Sequence, residues 1–359
     1  MNEQYETNDL KRISTYRGAL MGLAALWIYF FHLWTPLLSD VGAVAGIEKF
    51  LKRAGFCGVD IFLLLSGIGL TYAIGKTGLL KFWYRRVRRL IVPTLAIGII
   101  RAIDETWTAS AFIKNVSGWN FWFKSMYSFV WFVPAIVTLY LLFPLLWKAM
   151  TASSQKMLFL FGFLEVWLLL SLVLEGTLRA DLYGFTNRIP VFVVGVFLGW
   201  TIQHKTVTYG LSGRLFLLAT GILGVYLSYR SNFKGMRILV PTSNCCIPNL
   251  LMSVSFCGLF SDFFALIDST KAGKAIQKVT LGILAFYGSF SLEFYVLQEW
   301  LGGKLKSWLP AVLTSKAWLS NISIFLIVTA AGYLLHLLSE GVFFAAELPF
   351  KPKKGEKTA

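Results

Sequence analysis

The chain has 359 residues, 56% of them hydrophobic and 14% charged, with a mean hydropathy of +0.65. A soluble domain carries about 25% charged residues. Here apolar stretches approaching the ~20 residues that cross a bilayer recur along the whole length, which excludes a soluble globular protein. Lysine and arginine total 34 against 18 acidic residues, a net charge of +16. No soluble domain is left to bind nucleic acid, so that excess belongs to the cytoplasmic loops and tails of a membrane protein.

Ten spans are predicted in chain order, at about 18–38, 56–74, 88–103, 126–147, 157–174, 189–202, 211–229, 248–267, 281–301 and 318–346. The third and sixth are short, and the last is long enough to tilt or bend. The expected fold is therefore an all-α polytopic membrane protein with both termini in the cytoplasm. It divides into an N-terminal segment 1–17, a transmembrane domain 18–346 and a basic tail 347–359. With that orientation 20 basic residues fall inside and 13 outside, with Arg101 within a span. The first apolar run is too long for the core of a cleaved signal peptide and reads as a signal anchor. Phe, Trp and Tyr make up 16% of the chain, as aromatic belts at two interfaces require. The four cysteines, Cys57, Cys245, Cys246 and Cys257, form no C-x-x-C pair or Cys/His cluster, so no metal site is expected. Adjacent Cys245 and Cys246 would make only a strained disulfide, and buried thiols are expected instead.

An ionisable side chain inside a membrane costs at least ~2.5–3.5 kcal/mol, which draws attention to His32, Asp60, Glu165, Asp262, Glu293 and Glu299. His32 lies late in the first span, about 21 Å from its inner edge at the helical rise, and Asp60 lies early in the second. Counting along two antiparallel helices puts them at similar depth. A carboxylate beside an imidazole would hold its tautomer and make it a general base. The competing reading is a packing histidine near a carboxylate that caps a helix. Next, Arg85, Arg86, Arg88 and Arg89 abut the third span. Arginine's planar fork matches phosphate oxygens and suits a phosphorylated soluble donor such as coenzyme A. The alternative is a positive-inside signal touching anionic lipid. Ser66-Gly67-Ile68-Gly69 reads as small-residue helix packing, since no G-x-S-x-G elbow surrounds the serine. Arg188 opens the sixth span and could position a hydroxyl-rich acceptor, and Glu293 and Tyr295 could face a polar cavity. His204 and His336 show no partner pattern and read as structural.

Taken in order, these pieces resemble the acyltransferase type 3 family of bacterial membrane proteins. The matching segments are the early helix ending in His32, Gly58-Val59-Asp60-Ile61-Phe62 with Ser66-Gly67, and Tyr84-Arg85-Arg86-Val87-Arg88-Arg89 before Pro93. Trp131-Phe132 with Tyr140 and Pro144, Arg188-Ile189-Pro190 before Gly195, and Ser291-Leu292-Glu293-Phe294-Tyr295 follow. The resemblance implies a ten-helix architecture and His32 as the catalytic residue. It also implies transfer of an acyl group, commonly acetyl from acetyl-CoA, to a hydroxyl of a cell-surface glycan or glycolipid. Two positions depart from the family's pattern. Met21 stands where an arginine is usual eleven residues before the histidine, and Gln298 stands where many members carry a second histidine. Arg17 lies one turn before Met21 on nearly the same face, but helical side chains lean towards the N-terminus and so away from His32.

The expectation is an integral O-acyltransferase of the cytoplasmic (inner) membrane. Arg85, Arg86, Arg88 and Arg89 would bind acyl-CoA, the donor substrate, and no metal is needed. His32, oriented by Asp60, would deprotonate the acceptor. Arg188, Glu293 and Tyr295 would contact the acceptor, and membrane lipids would surround the whole. The rival readings are a transporter or glycan-lipid flippase, which would favour internal repeats that are not visible here, and an inactive relative serving as an assembly partner.

Overall fold

The computed structural model describes residues 8–178, 180–238, 241–268 and 271–347, so the expected basic tail lies outside the described residues from 348 onward. Among the described residues the chain is helical and contains no strand. It begins with α1 (Lys11–Thr15), α2 (Arg17–Leu33), α3 (Gly42–Ala54), α4 (Cys57–Thr71) and α5 (Leu79–Asp104). Short α6 (Ala109–Val116) and α7 (Trp119–Phe123) lead to α8 (Phe132–Ala152) and α9 (Lys156–Thr177). Then come α10 (Tyr183–Thr186), α11 (Ile189–His204), α12 (Gly210–Lys234) and α13 (Pro241–Asp268). The chain closes with α14 (Lys271–Ser289), α15 (Ser291–Trp308), α16 (Ala311–Thr314) and α17 (Ala317–Glu347).

Six helical stretches are long and apolar enough to cross a membrane: α8, α9, α10 with α11, α12, α13 and α17. Two bent pairs raise the number to eight, α3 with α4 at 43° and α14 with α15 at 71°. The apolar α2 has 17 residues, and α5 carries five arginines in its 26. Several boundaries differ from those predicted. The first predicted span, α2, stops at Leu33, with Trp34 already extended at ψ 124°, because Thr35 precedes Pro36 and a residue before proline disfavours the α region. The run at 281–301 is divided between α14 and α15 at Phe290 (φ −119°, ψ 27°). The four arginines lie inside α5, which starts at Leu79.

The centre of the bundle is α4, buried at every residue except Gly69; a helix apolar all round belongs in a core. Glycines set how closely its neighbours approach. A Cβ on Gly195 would stand 2.3 Å from the Leu64 carbonyl oxygen, and one on Gly67 2.5 Å from that of Phe192, locking α4 to α11. Gly58 meets the Ala24 carbonyl of α2, and Gly22 of α2 meets that of Leu284 in α14. These are the small-residue contacts that bring membrane helices together. Gly195→Ala is therefore expected to lower the thermal midpoint of the detergent-solubilised protein, at a cost of about 1–3 kcal/mol for overpacking. Gly162→Ala, on an open face of α9, is the control and should not lower it.

Candidate active site

The arginines divide by helical angle. Arg86 and Arg89, three residues apart on α5, share a face. Arg17 joins them from α2: its Nε donates to the Leu65 carbonyl at 3.2 Å, its guanidinium lies against Gly69, and it sits in the electrostatic field of Arg86, Arg89 and Tyr140. Arg88 points elsewhere, over the rings of Tyr84 and Phe343 at 5.5 and 5.3 Å; Arg85 and Arg89 are both exposed, and of these two Arg89 acts electrostatically on Arg17. Two of the four expected arginines therefore converge, with Arg17 as a third member. The lean that carries Arg17 away from His32 is what brings it to this cluster.

Beside the cluster begins a narrow cavity of about 100 Å³, enclosed by α2, α4, α5, α8 and α15. Met21, Ser66, Leu90 and Tyr140 line its basic end, and Ile28, Val59 and Tyr295 its far end. The lining is mostly apolar, with hydroxyls from Ser66, Tyr140, Ser291 and Tyr295. It stops one helical turn short of His32 on α2 and of Gln298 on α15, and these two meet: Gln298 Nε2 is 3.1 Å from His32 Nδ1. From Arg17 to His32 is about 22 Å along α2 at the helical rise.

His32 is held in place by the chain that follows it. Glu48, nearly buried on α3, accepts from Trp34 Nε1 at 2.7 Å and from the Leu37 and Leu38 amides at 2.9 and 2.8 Å. Asn321 bonds both backbone groups of Thr35, each at 2.8 Å. Lys52 and Glu299 lie close enough to act on the imidazole electrostatically. The C-terminal end of α2 is thus pinned to α3 and α17.

The expected partnership of His32 with Asp60 does not form. Asp60, fully buried, accepts from Arg188 Nη1 at 2.6 Å and from Asn249 Nδ2 at 2.8 Å. The depth count failed because the helices are staggered. Gly58 of α4 packs on Ala24 and Ile28, which puts Asp60 about 12 Å below His32 along the bundle. Arg188 also donates to the Gly184 carbonyl at 3.1 Å and lies 5.0 Å over the Trp131 ring. It acts electrostatically on Tyr295, so this network borders the far end of the cavity.

Tyr295 lines this cavity, which is mostly apolar where the sequence predicts a polar one, and Glu293 does not line it. Two residues before Tyr295, Glu293 faces α17 instead, where His336 Nδ1 lies 3.2 Å away; His336 thus has a partner that its own sequence surroundings do not reveal. Asp262 is held by Arg12 at 2.6 Å and Arg214 at 3.0 Å, while Glu165 and Glu299 are exposed. His204 bonds the Trp200 carbonyl of its own helix at 2.8 Å. All four cysteines are free thiols. Among the described residues no three His, Cys, Asp or Glu side chains are arranged to hold a metal ion. Arg17, Asn249 and the His32–Gln298 contact were missed as site features in the sequence; only the odd polar residues within apolar runs mark them.

Searches of curated proteins and of solved structures returned no match. The sequence model of an acyltransferase domain matches residues 19–338, nearly the whole chain, from the first turn of α2 into the C-terminal half of α17. That stretch contains Arg86 and Arg89, the cavity and the His32–Gln298 pair within one helical membrane bundle: the chain belongs to the acyltransferase type 3 family.

Proposed function

We propose that this membrane acyltransferase takes an acyl group, acetyl in the simplest case, from acyl-CoA and gives it to a hydroxyl of a cell-surface glycan or glycolipid. The observation that carries this reading is the narrow cavity that has Tyr140, neighbour of Arg17 and Arg86, at one end and stops one helical turn short of His32 at the other. In it a phosphorylated donor can leave its charge among the arginines and extend a thin thioester-bearing arm into the bilayer. In this reading α2 and α5 also cross, giving ten passages of the inner membrane, with both termini and the arginine cluster on the cytoplasmic side.

His32 removes the acceptor's hydroxyl proton as the oxygen attacks the thioester carbonyl. The tetrahedral intermediate collapses with cleavage of the C–S bond, and the departing thiolate takes the proton back from the imidazolium. The products are an ester and free coenzyme A. Arg188, placed by Asp60, and Tyr295 border the far end, where the acceptor approaches.

Radiolabelled acetyl-CoA supplied to the cytoplasmic face of membrane vesicles should label glycan or lipid. Absence of both labelling and coenzyme A binding would overturn the reading in favour of transport. Charge-assisted hydrogen bonds contribute about 1.5–3 kcal/mol each. Replacing Arg86 and Arg89 by glutamine is therefore expected to raise KM for acetyl-CoA at least about tenfold, with a smaller change in kcat. An unchanged KM would remove the arginines from donor binding.

A further inference from the structure

Resting on the reading of His32 as the base, we propose that Gln298 is the positioning residue that fixes its tautomer, the role the sequence assigned to Asp60. Gln298 is completely buried and its side-chain amide lies 3.1 Å from His32 Nδ1. One end of the amide meets the imidazole, and the other is buried without a protein partner. Which atom faces the ring is a matter of chemistry, because an amide's O and N exchange places by a half-turn. With Nε2 donating to Nδ1, the neutral ring carries its proton on Nε2, and that nitrogen can remove none. With Oε1 accepting from Nδ1–H, Nε2 is left bare to act as the base. Only the second arrangement lets His32 work. It uses a neutral side-chain acceptor in the place that a carboxylate takes in a Ser-His-Asp triad.

The other polar groups do not compete for Nδ1. Asp60 is occupied by Arg188 and Asn249, and Lys52 offers only donors and bonds the Trp34 carbonyl. Glu299, the next residue on α15, acts through space and is exposed. Gln298, by contrast, projects from the buried face of α15 that packs on α2, where Gly302 accommodates Leu33 one turn further on.

The test combines kinetics with a direct view of the ring. Gln298→Leu keeps the volume but removes the acceptor, and should lower kcat by about 10²-fold or more, with KM for acetyl-CoA unchanged. Gln298→Glu keeps an acceptor oxygen and should restore kcat to within about tenfold of wild type. In protein labelled with [15N]histidine, the His32 resonance, assigned by its loss in His32→Ala, should report the Nδ1–H tautomer in wild type and the Nε2–H form in Gln298→Leu. Wild-type kcat in Gln298→Leu, or an Nε2–H tautomer in the wild-type protein, would overturn the assignment. If His32→Ala itself retains activity, the reading of His32 as base fails, and the tautomer measurement still decides whether Gln298 sets the ring.

Discussion

His32→Ala is expected to lower acyl transfer by about 10²–10⁴-fold, the usual worth of a positioned general base, while coenzyme A binding and the fold persist. The structural cost is small for two reasons. His32 is only partly buried, and its polar contact is with Gln298, whose amide would lose one bond at about 1–3 kcal/mol. The fixing of the chain around it rests on Trp34 with Glu48 and on Thr35 with Asn321, none of which the substitution touches. The proposed donor site at Arg17 lies about 22 Å away along α2. The measurement is labelled-acetyl transfer in vesicles beside coenzyme A binding and a thermal midpoint in detergent. Turnover at the wild-type rate would remove His32 from the chemistry, and loss of coenzyme A binding together with activity would mean that the bundle had rearranged.

The apolar runs and the residue types at the site were legible in the sequence; the pairings were not. Apolar run length finds membrane segments, so most long helices lie where hydropathy puts them. It is blind to the break at Phe290, because the run at 281–301 stays apolar through it. It also misses α3, where Glu48, Lys49, Lys52 and Arg53 interrupt the apolar residues. Depth counted from span edges assumes helices that start level. The 43° bend between α3 and α4 and the seating of Gly58 on Ala24 remove that assumption, and with it the pairing of Asp60 to His32. Asp60 instead finds Arg188 and Asn249, 128 and 189 residues away, and His32 finds Gln298 at 266. No periodicity reaches across such separations. The arginine run was visible as a run, but only helical angle divides it into Arg86 and Arg89 facing Arg17 and Arg88 facing Phe343.

Asp60→Ala is expected to be the most destabilising single change among these residues, at about 3–5 kcal/mol. It would strand the Arg188 guanidinium, whose Nη1 bonds the Asp60 carboxylate at 2.6 Å in a fully buried setting. Arg188→Ala should cost a similar amount by stranding the carboxylate beside Asn249. Removing one member of a buried pair leaves an uncompensated charge, whereas replacing both by apolar groups of similar volume is often neutral or stabilising. The double variant Asp60→Leu, Arg188→Met is therefore expected to melt above either single variant, although two charges have been deleted. Thermal midpoints of the three proteins in one detergent check this, and an Asp60→Ala protein as stable as wild type would contradict it. Activity then separates the pair's two roles. If Asp60 serves only to seat Arg188, the double variant regains its stability but transfer stays low, because Arg188 no longer borders the far end of the cavity beside Tyr295. Recovery of transfer along with stability would instead make the pair a structural clamp between α4 and the start of α11, and would leave acceptor contact to Tyr295 and the His32 end of the site.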